Sequence, residues 1–157
     1  MTEMPNNEEL EVLGEIQYIV IRLGGESYGI PISIVDNIVR MQRTTRVPKG
    51  QPSYIGVINL RGEIVPVMSI RRRFGLNEDE FTNKTRIIIV KLEDQSLIGL
   101  IVDEVKEVVN LDASTIETPS FKLSEEKAAF LSGIGKHDEG LISLLDIDSV
   151  VSEKKRE

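Results

Sequence analysis

The chain repeats itself once. Tyr18-Ile19-Val20-Ile21-Arg22-Leu23, a Gly24-Gly25 turn, Ser27-Tyr28-Gly29-Ile30-Pro31-Ile32 and Val35-Asp36-Asn37-Ile38-Val39 come first. They return as Ile87-Ile88-Ile89-Val90-Lys91-Leu92, a Glu93-Asp94 turn, Ser96-Leu97-Ile98-Gly99-Leu100-Ile101-Val102 and Val105-Lys106-Glu107-Val108-Val109. Aligning Gly29 with Gly99 places Val35 on Val105 and Ile38 on Val108. Further on, a hairpin at Arg61-Gly62 and the sequence Met68-Ser69-Ile70 are echoed by a hairpin at Glu139-Gly140 and by Leu145-Asp146-Ile147. An offset of ~70 residues is too long for a solenoid and there are only two copies, so the pattern predicts one β unit used twice, as a pair of small barrels packed together.

The segments are short, dense in Ile and Val, and separated by Gly, Asn, Asp and Pro, which predicts an all-β fold. Helix is confined to short pieces. They are a turn near 33–36, Ile70 to Phe74 stopped by Gly75, a piece beginning at Ser114 with Glu117 three residues on, Ser124 to Phe130, and a C-terminal helix from Asp146. Pro48 to Pro52 and Thr118-Pro119 read as loops, and Asn77 to Lys84 as a charged connection between the repeats. Residues 1–14 are expected to be a flexible segment, 15–151 the folded unit with the two subdomains interleaved along the chain, and 152–157 a charged tail.

At 157 residues the chain has the size of one domain, able to bury roughly 70% of the surface its unfolded form exposes. It has no Cys, which excludes a disulfide framework and a thiolate nucleophile and fits a reducing compartment. The first eleven residues are acidic and polar, unlike a signal peptide, and no stretch approaches the roughly 18 continuous apolar residues of a membrane helix. A soluble cytoplasmic protein is the expectation. A net charge of −7 opposes general binding to nucleic acid or anionic lipid, both of which need Lys and Arg against phosphate.

Catalytic chemistry finds little to work with. His137 is the only His and has no Cys or second His to share a metal with. Asp103, Glu104 and Glu107, and separately Asp146 with Asp148, read as solvated carboxylates, and no nucleophile–base pair or phosphate-cradling Gly loop can be assembled. The expectation is a non-enzyme with no metal or cofactor. Arg71-Arg72-Arg73 is the most basic spot and reads as a solvated face, with Phe74 the one aromatic beside it.

The hairpin carries more information. Ile55, Val57 and Ile58 lead into Asn59-Leu60-Arg61-Gly62, and Ile64, Val65 and Val67 lead away, with Gly62 suited to positive φ at the reversal and Arg61 lifted to the tip. Pro66 lacks an N–H and marks an edge position or a bulge. Asn-Leu-Arg-Gly, a strand Pro and a following Arg/Phe turn together resemble the CheW-like family of chemotaxis coupling proteins, and the resemblance runs from about 16 to 151.

That resemblance implies two five-stranded SH3-like barrels side by side. It also implies a non-enzymatic adaptor, monomeric when free, that couples chemoreceptors (methyl-accepting chemotaxis proteins) to the histidine kinase CheA at membrane-associated receptor clusters. Matched residue by residue, the receptor-binding groove falls on Ile19, Ile32, Val35, Ile38 and Val105, with Arg61 important for coupling. An apolar trough of this kind receives an amphipathic helical partner, and a guanidinium fork holds partner oxygens as Lys does not. The regulatory domain of CheA would meet the segment from Arg43 to Pro52, including Arg46, Val47 and Pro48, and a second surface carrying Phe121. Asn37 stands where some relatives carry an acid, so a family salt bridge there is not carried over. Other readings stay open: an adaptor of a non-chemotaxis kinase pathway, a small-barrel nucleic-acid binder, or a hydrolase with a hidden catalytic pair.

Overall fold

The Ile- and Val-rich runs become strands, separated where turn residues accumulate. In a computed structural model that describes residues 14–47, 50–118, 128–138 and 140–152, these are β1 (Glu15–Leu23), β2 (Glu26–Pro31), β3 (Val35–Arg40), β4 (Tyr54–Leu60), β5 (Glu63–Ser69), β6 (Arg86–Lys91), β7 (Leu97–Val102), β8 (Glu104–Asp112), β9 (Leu131–His137) and β10 (Gly140–Leu145). Two short helices, α1 (Ile70–Arg73) and α2 (Ile147–Val151), follow β5 and β10. The strands form two five-stranded sheets. Sheet A has the order β8-β1-β2-β10-β9 and sheet B the order β3-β6-β7-β5-β4.

Replacing each strand of the first repeat by its counterpart in the second converts one order into the other, so the duplication in sequence is a duplication in space. Registers agree as well. Val20 lies opposite Gly29 as Ile89 lies opposite Gly99, and Ile19 pairs with Val108 as Ile88 pairs with Ile38. A Cβ would crowd a core side chain at both equivalent positions, standing 2.8 Å from Leu144 Cδ2 at Gly29 and 2.7 Å from Ile87 Cγ2 at Gly99. Each repeat nonetheless splits, giving two strands to one sheet and three to the other. Sheet B is the continuous stretch β3 to β7, set between the two parts of sheet A.

The expected barrels are met as open sheets closed by one contact each. The edge strands β3 and β4 share no ladder, and neither do β8 and β9. After β3 the chain returns across β4, where Thr45 and Val57 exchange two N–H···O bonds of 2.8 Å; after β8 it returns across β9, where Glu117 and Ile134 exchange bonds of 2.9 and 2.8 Å. Gly56 and Gly133 sit beside these crossings because a side chain would collide there, a Cβ on Gly56 lying 2.4 Å from the Thr45 carbonyl oxygen.

Three cores result. Tyr18, Val20, Val109, Leu111, Ile142 and Leu144 fill sheet A, while Ile58, Val65, Val67, Ile87, Ile89 and Ile101 fill sheet B. Between the sheets lies a third, larger core to which β1 contributes Ile19, Ile21 and Leu23, and β6 contributes Ile88 and Val90. Strands β1 and β6 are therefore buried on both faces, which is why they read as unbroken apolar runs rather than alternating ones.

Local details correct the expectations. The second hairpin turns one residue earlier than Glu139-Gly140. His137 pairs with Gly140, so Asp138 is the counterpart of Arg61, with φ 53° against 56°, and Glu139 lies outside the described residues. The piece at Ser114 is a 3-10 turn over Ala113–Thr115 capped by Asp112, whose carboxylate accepts from Ser114 N–H. Of the helix proposed for Ser124 to Phe130 only its last residues are described. Pro66 lies on an inner strand, yet the pairing of β5 with β7 begins at Val67, so no neighbour on that side needs its missing N–H. Helix α1 ends as Gly75 allows: φ is +71°, Gly75 N–H donates to Arg72 O at 3.1 Å and Leu76 N–H to Arg71 O at 2.8 Å.

Candidate partner-binding surfaces

The residues assigned to a groove fall into two rows, one on each sheet. On β3, a bulge between Val35 and Asn37 shifts the register by one, so Val35 stands opposite Val90 and Ile38 opposite Ile88. Both partners belong to the core between the sheets, and cross-strand partners share a face. The three-residue spacing of Ile32, Val35 and Ile38 is thus a 3-10 turn (Ile32–Ile34) followed by a bulge. The second repeat copies this device: Val105 stands opposite Ile21 and Val108 opposite Ile19 across the equivalent irregularity.

Ile32, Val35 and Val105 are half-buried and pack on the central core. Ile38 at 37% and Val108 at 48% exposure carry that apolar face to solvent. Ile19 is a correction. It is 3% exposed, inside the central core, and supports the row from beneath rather than touching a partner. Val108 belongs to the surface in its place, and the alignment of Ile38 on Val108 was the signal that points to it.

The chain passes from sheet A to sheet B through Ile32–Ile34 and back through Asp103. Asp103 is not a solvated carboxylate. Arg71 donates to both its oxygens, Nε to Oδ1 at 2.8 Å and Nη2 to Oδ2 at 2.5 Å, while Gly24 N–H adds a third bond at 2.9 Å. Burial alone raises its pKa, but these donors outweigh burial and hold the carboxyl below its ordinary range. The crossover beside Val105 is pinned to α1 and to the β1–β2 turn.

Nor is the Arg71-Arg72-Arg73 run a solvated face. Arg72 reaches Pro52 O and Glu78, both at 3.3 Å. Arg73 donates to Val150 O at 2.7 Å and Ser152 O at 2.8 Å, holding the end of α2, and lies 4.8 Å from the Phe130 ring centre. Phe130 in turn stacks on Phe74 at 5.0 Å.

Arg61 occupies the tip of the β4–β5 hairpin, exposed and at φ 56°. Asn59 Oδ1 braces the turn by accepting from Gly62 N–H at 2.9 Å. On the same sheet, the bridge at Thr45 holds 43–47 against β4. Arg46 is exposed, and Val47, at 48% exposure, lines an apolar cleft of about 270 Å³ with Tyr54, Val57 and Pro66. A second cavity of about 730 Å³ continues from it past Arg46, Gln51, Pro52 and Arg72. Pro48 and Phe121 lie outside the described residues. His137 has Glu107 and Asp138 each 3.6 Å from Nε2, and no group of three potential metal ligands occurs among the described residues. Among them, too, no helix is long and apolar enough to cross a membrane.

Known proteins share this arrangement. The chain is 35% identical to the chemotaxis protein CheW of Bacillus subtilis over 87% of this chain and 86% of that one. It is 30% identical to the chemotaxis protein CheW of Helicobacter pylori over 97% and 88%. The crystal structure of the scaffolding protein TtCheW from Thermoanaerobacter tengcongensis superimposes with a TM-score of 0.81, at 33% identity, covering 90% of this chain and 91% of that one. The family model described as CheW-like domain matches residues 17–155. By both sequence and architecture, the chain belongs to the CheW-like domain family.

Proposed function

We propose that the protein is a non-enzymatic adaptor of bacterial chemotaxis, working in the cytoplasm at receptor clusters and coupling the cytoplasmic tips of chemoreceptors to the histidine kinase CheA. The observation that carries the receptor half is the pair of exposed apolar residues, Ile38 and Val108, each continuing the core between the sheets outward from an edge strand. An amphipathic receptor helix would cover these rows with its own anchors, and Arg61 would hold oxygens at its flank through a forked guanidinium. The kinase regulatory domain would meet the sheet B edge at Arg46 and Val47, with Pro48 alongside, and a second kinase contact would involve Phe121. Membership of a family whose members are named as chemotaxis and scaffolding proteins supports the reading.

The test mixes the purified chain, a receptor cytoplasmic fragment and CheA and measures CheA autophosphorylation. Activation is expected only when all three are present. A chain that binds neither partner, or binds CheA and leaves activation unchanged, overturns the reading.

A further inference from the structure

The duplication makes one comparison possible that a single barrel would not: what has each sheet done with the same edge? Sheet B's edge is basic. From Asn37 to Leu60 the chain carries Arg40, Arg43, Arg46 and Lys49 and no carboxylate, in a protein of net charge −7. Arg40, Arg43 and Arg46 are exposed, and no ion-pair partner holds them among the described residues. Arg40 even stands directly opposite Arg86 in the β3–β6 ladder, a like-charge pair that costs stability.

Sheet A reverses this. The residue that bridges to the neighbouring strand is Thr45 on sheet B and Glu117 on sheet A. The hairpin tip is Arg61 on one and Asp138 on the other, and the position equivalent to Arg40 is Asn110. Sheet B's charge is therefore a property of that edge and not of the unit from which both sheets derive.

The basic groups also surround something. Arg46 and Arg72 both line the cavity that adjoins the apolar cleft of Val47, Tyr54, Val57 and Pro66, and Val47 and Tyr54 are shared by the two. We propose that the sheet B edge takes a protein partner whose docking face is acidic around an apolar anchor, and that Arg43 and Arg46 act by steering that face during encounter while the cleft beside Val47 holds it afterwards. This rests on the reading of the edge as the kinase-facing one. Long-range attraction between opposite surfaces accelerates association and is screened by salt, whereas an apolar anchor governs the lifetime of the complex.

Association and dissociation rates of the full chain with full-length CheA decide the matter, measured by stopped flow at about 50 mM and about 500 mM NaCl. R43E/R46E is expected to slow association about tenfold or more at low salt, with the gap closing at high salt and dissociation changed by less than about threefold. R43K/R46K keeps the charge and is expected to associate like wild type. Val47→Asp is expected to do the opposite, speeding dissociation and sparing association. Circular dichroism reads whether each variant is folded.

If wild type fails to bind CheA at any salt, the kinase reading falls and this inference with it. If wild type binds with an association rate indifferent to salt and to R43E/R46E, only the steering falls. Two further results overturn it. One is self-association at low salt that R43E/R46E abolishes while CheA binding is unchanged, which would give the edge to a second copy. The other is binding of duplex DNA, lost in R43E/R46E, at physiological salt.

Discussion

Replacing Gly56 by Ala tests the closure of sheet B at one atom. The new Cβ would lie 2.4 Å from Thr45 O, 2.9 Å from Thr45 C and 3.3 Å from Arg46 Cα. All three are backbone atoms, so no side-chain rotation relieves the clash and the crossing segment has to move outward. That motion breaks both 2.8 Å bonds between Thr45 and Val57, about 1 kcal/mol each. Gly56 also has φ +153°, a conformation that costs an L-residue about 1 kcal/mol or more. The expected loss is about 3 kcal/mol.

Gly133→Ala makes the internal comparison. Its nearest obstacle is Ile116 Cγ2 at 2.5 Å, the end of a side chain, and the Glu117 carbonyl oxygen is 3.2 Å away, so about 1–2 kcal/mol is expected. A Cβ on Gly25 meets nothing within 4 Å, and Gly25→Ala should stay within about 0.5 kcal/mol of wild type. Urea unfolding by circular dichroism reads all three through midpoint and slope. A Gly56→Ala variant within about 0.5 kcal/mol of wild type, or less affected than Gly133→Ala, would refute the argument from backbone collision.

The remaining expectations concern the proposed receptor surface and the crossover clamp. Ile38→Asp and Val108→Asp should each abolish binding of a receptor fragment in a titration while the melting temperature falls only modestly, because both side chains are partly exposed, at 37% and 48%; a collapse of the melting temperature instead would make them core. Arg61→Lys should fold normally yet give clearly reduced CheA activation in the three-component assay, and full activation would remove the case for guanidinium geometry. Arg71→Ala should cost about 2 kcal/mol, since the pair is mostly shielded and Asp103 would keep a charge with fewer donors. The sign of its pH dependence follows from Asp103, whose folded pKa is lowered. The clamp's contribution is present above the ordinary Asp value and is lost as pH falls through it toward the folded one, so the stability profile of Arg71→Ala should be flatter than wild type below about pH 5. Parallel profiles for the two proteins would contradict this.

The duplication and the all-β class were legible because they are written in local pattern: Tyr18-Ile19-Val20-Ile21 and Ile87-Ile88-Ile89-Val90 announce strands whatever surrounds them. Which strand joins which sheet was not, since β3 leaves β2 for β6 through a 3-10 turn at Ile32–Ile34 that carries no local mark of a change of sheet. Ile19 was placed on the surface by residue matching to the family, and the local pattern offered no check on it: on a strand buried from both sides, alternation no longer tells one face from the other. The hairpin tip moved by one because Gly140 suggested the positive φ that Asp138 in fact adopts, as Asp can. The arginine run was read as solvated because its partners, Asp103 and Val150, are far away in sequence. Periodicity is blind to such separations.

The nesting of one sheet within the other fixes the order in which a growing chain can finish them. Strands β3 to β7 leave the ribosome consecutively, so sheet B has all its members once Val102 has emerged, whereas the β1–β2 hairpin must wait for β8 and β10 before either flank is paired. Until then it presents two open edges, the state most exposed to pairing with a wrong strand. Because the halves are duplicates, joining residue 157 to residue 1 and cutting between Gly75 and Arg86 would exchange the roles. Strands β8, β9, β10, β1 and β2 would then run consecutively, sheet A would be completed first, and the β6–β7 hairpin would be the one left waiting, for β3 and β5.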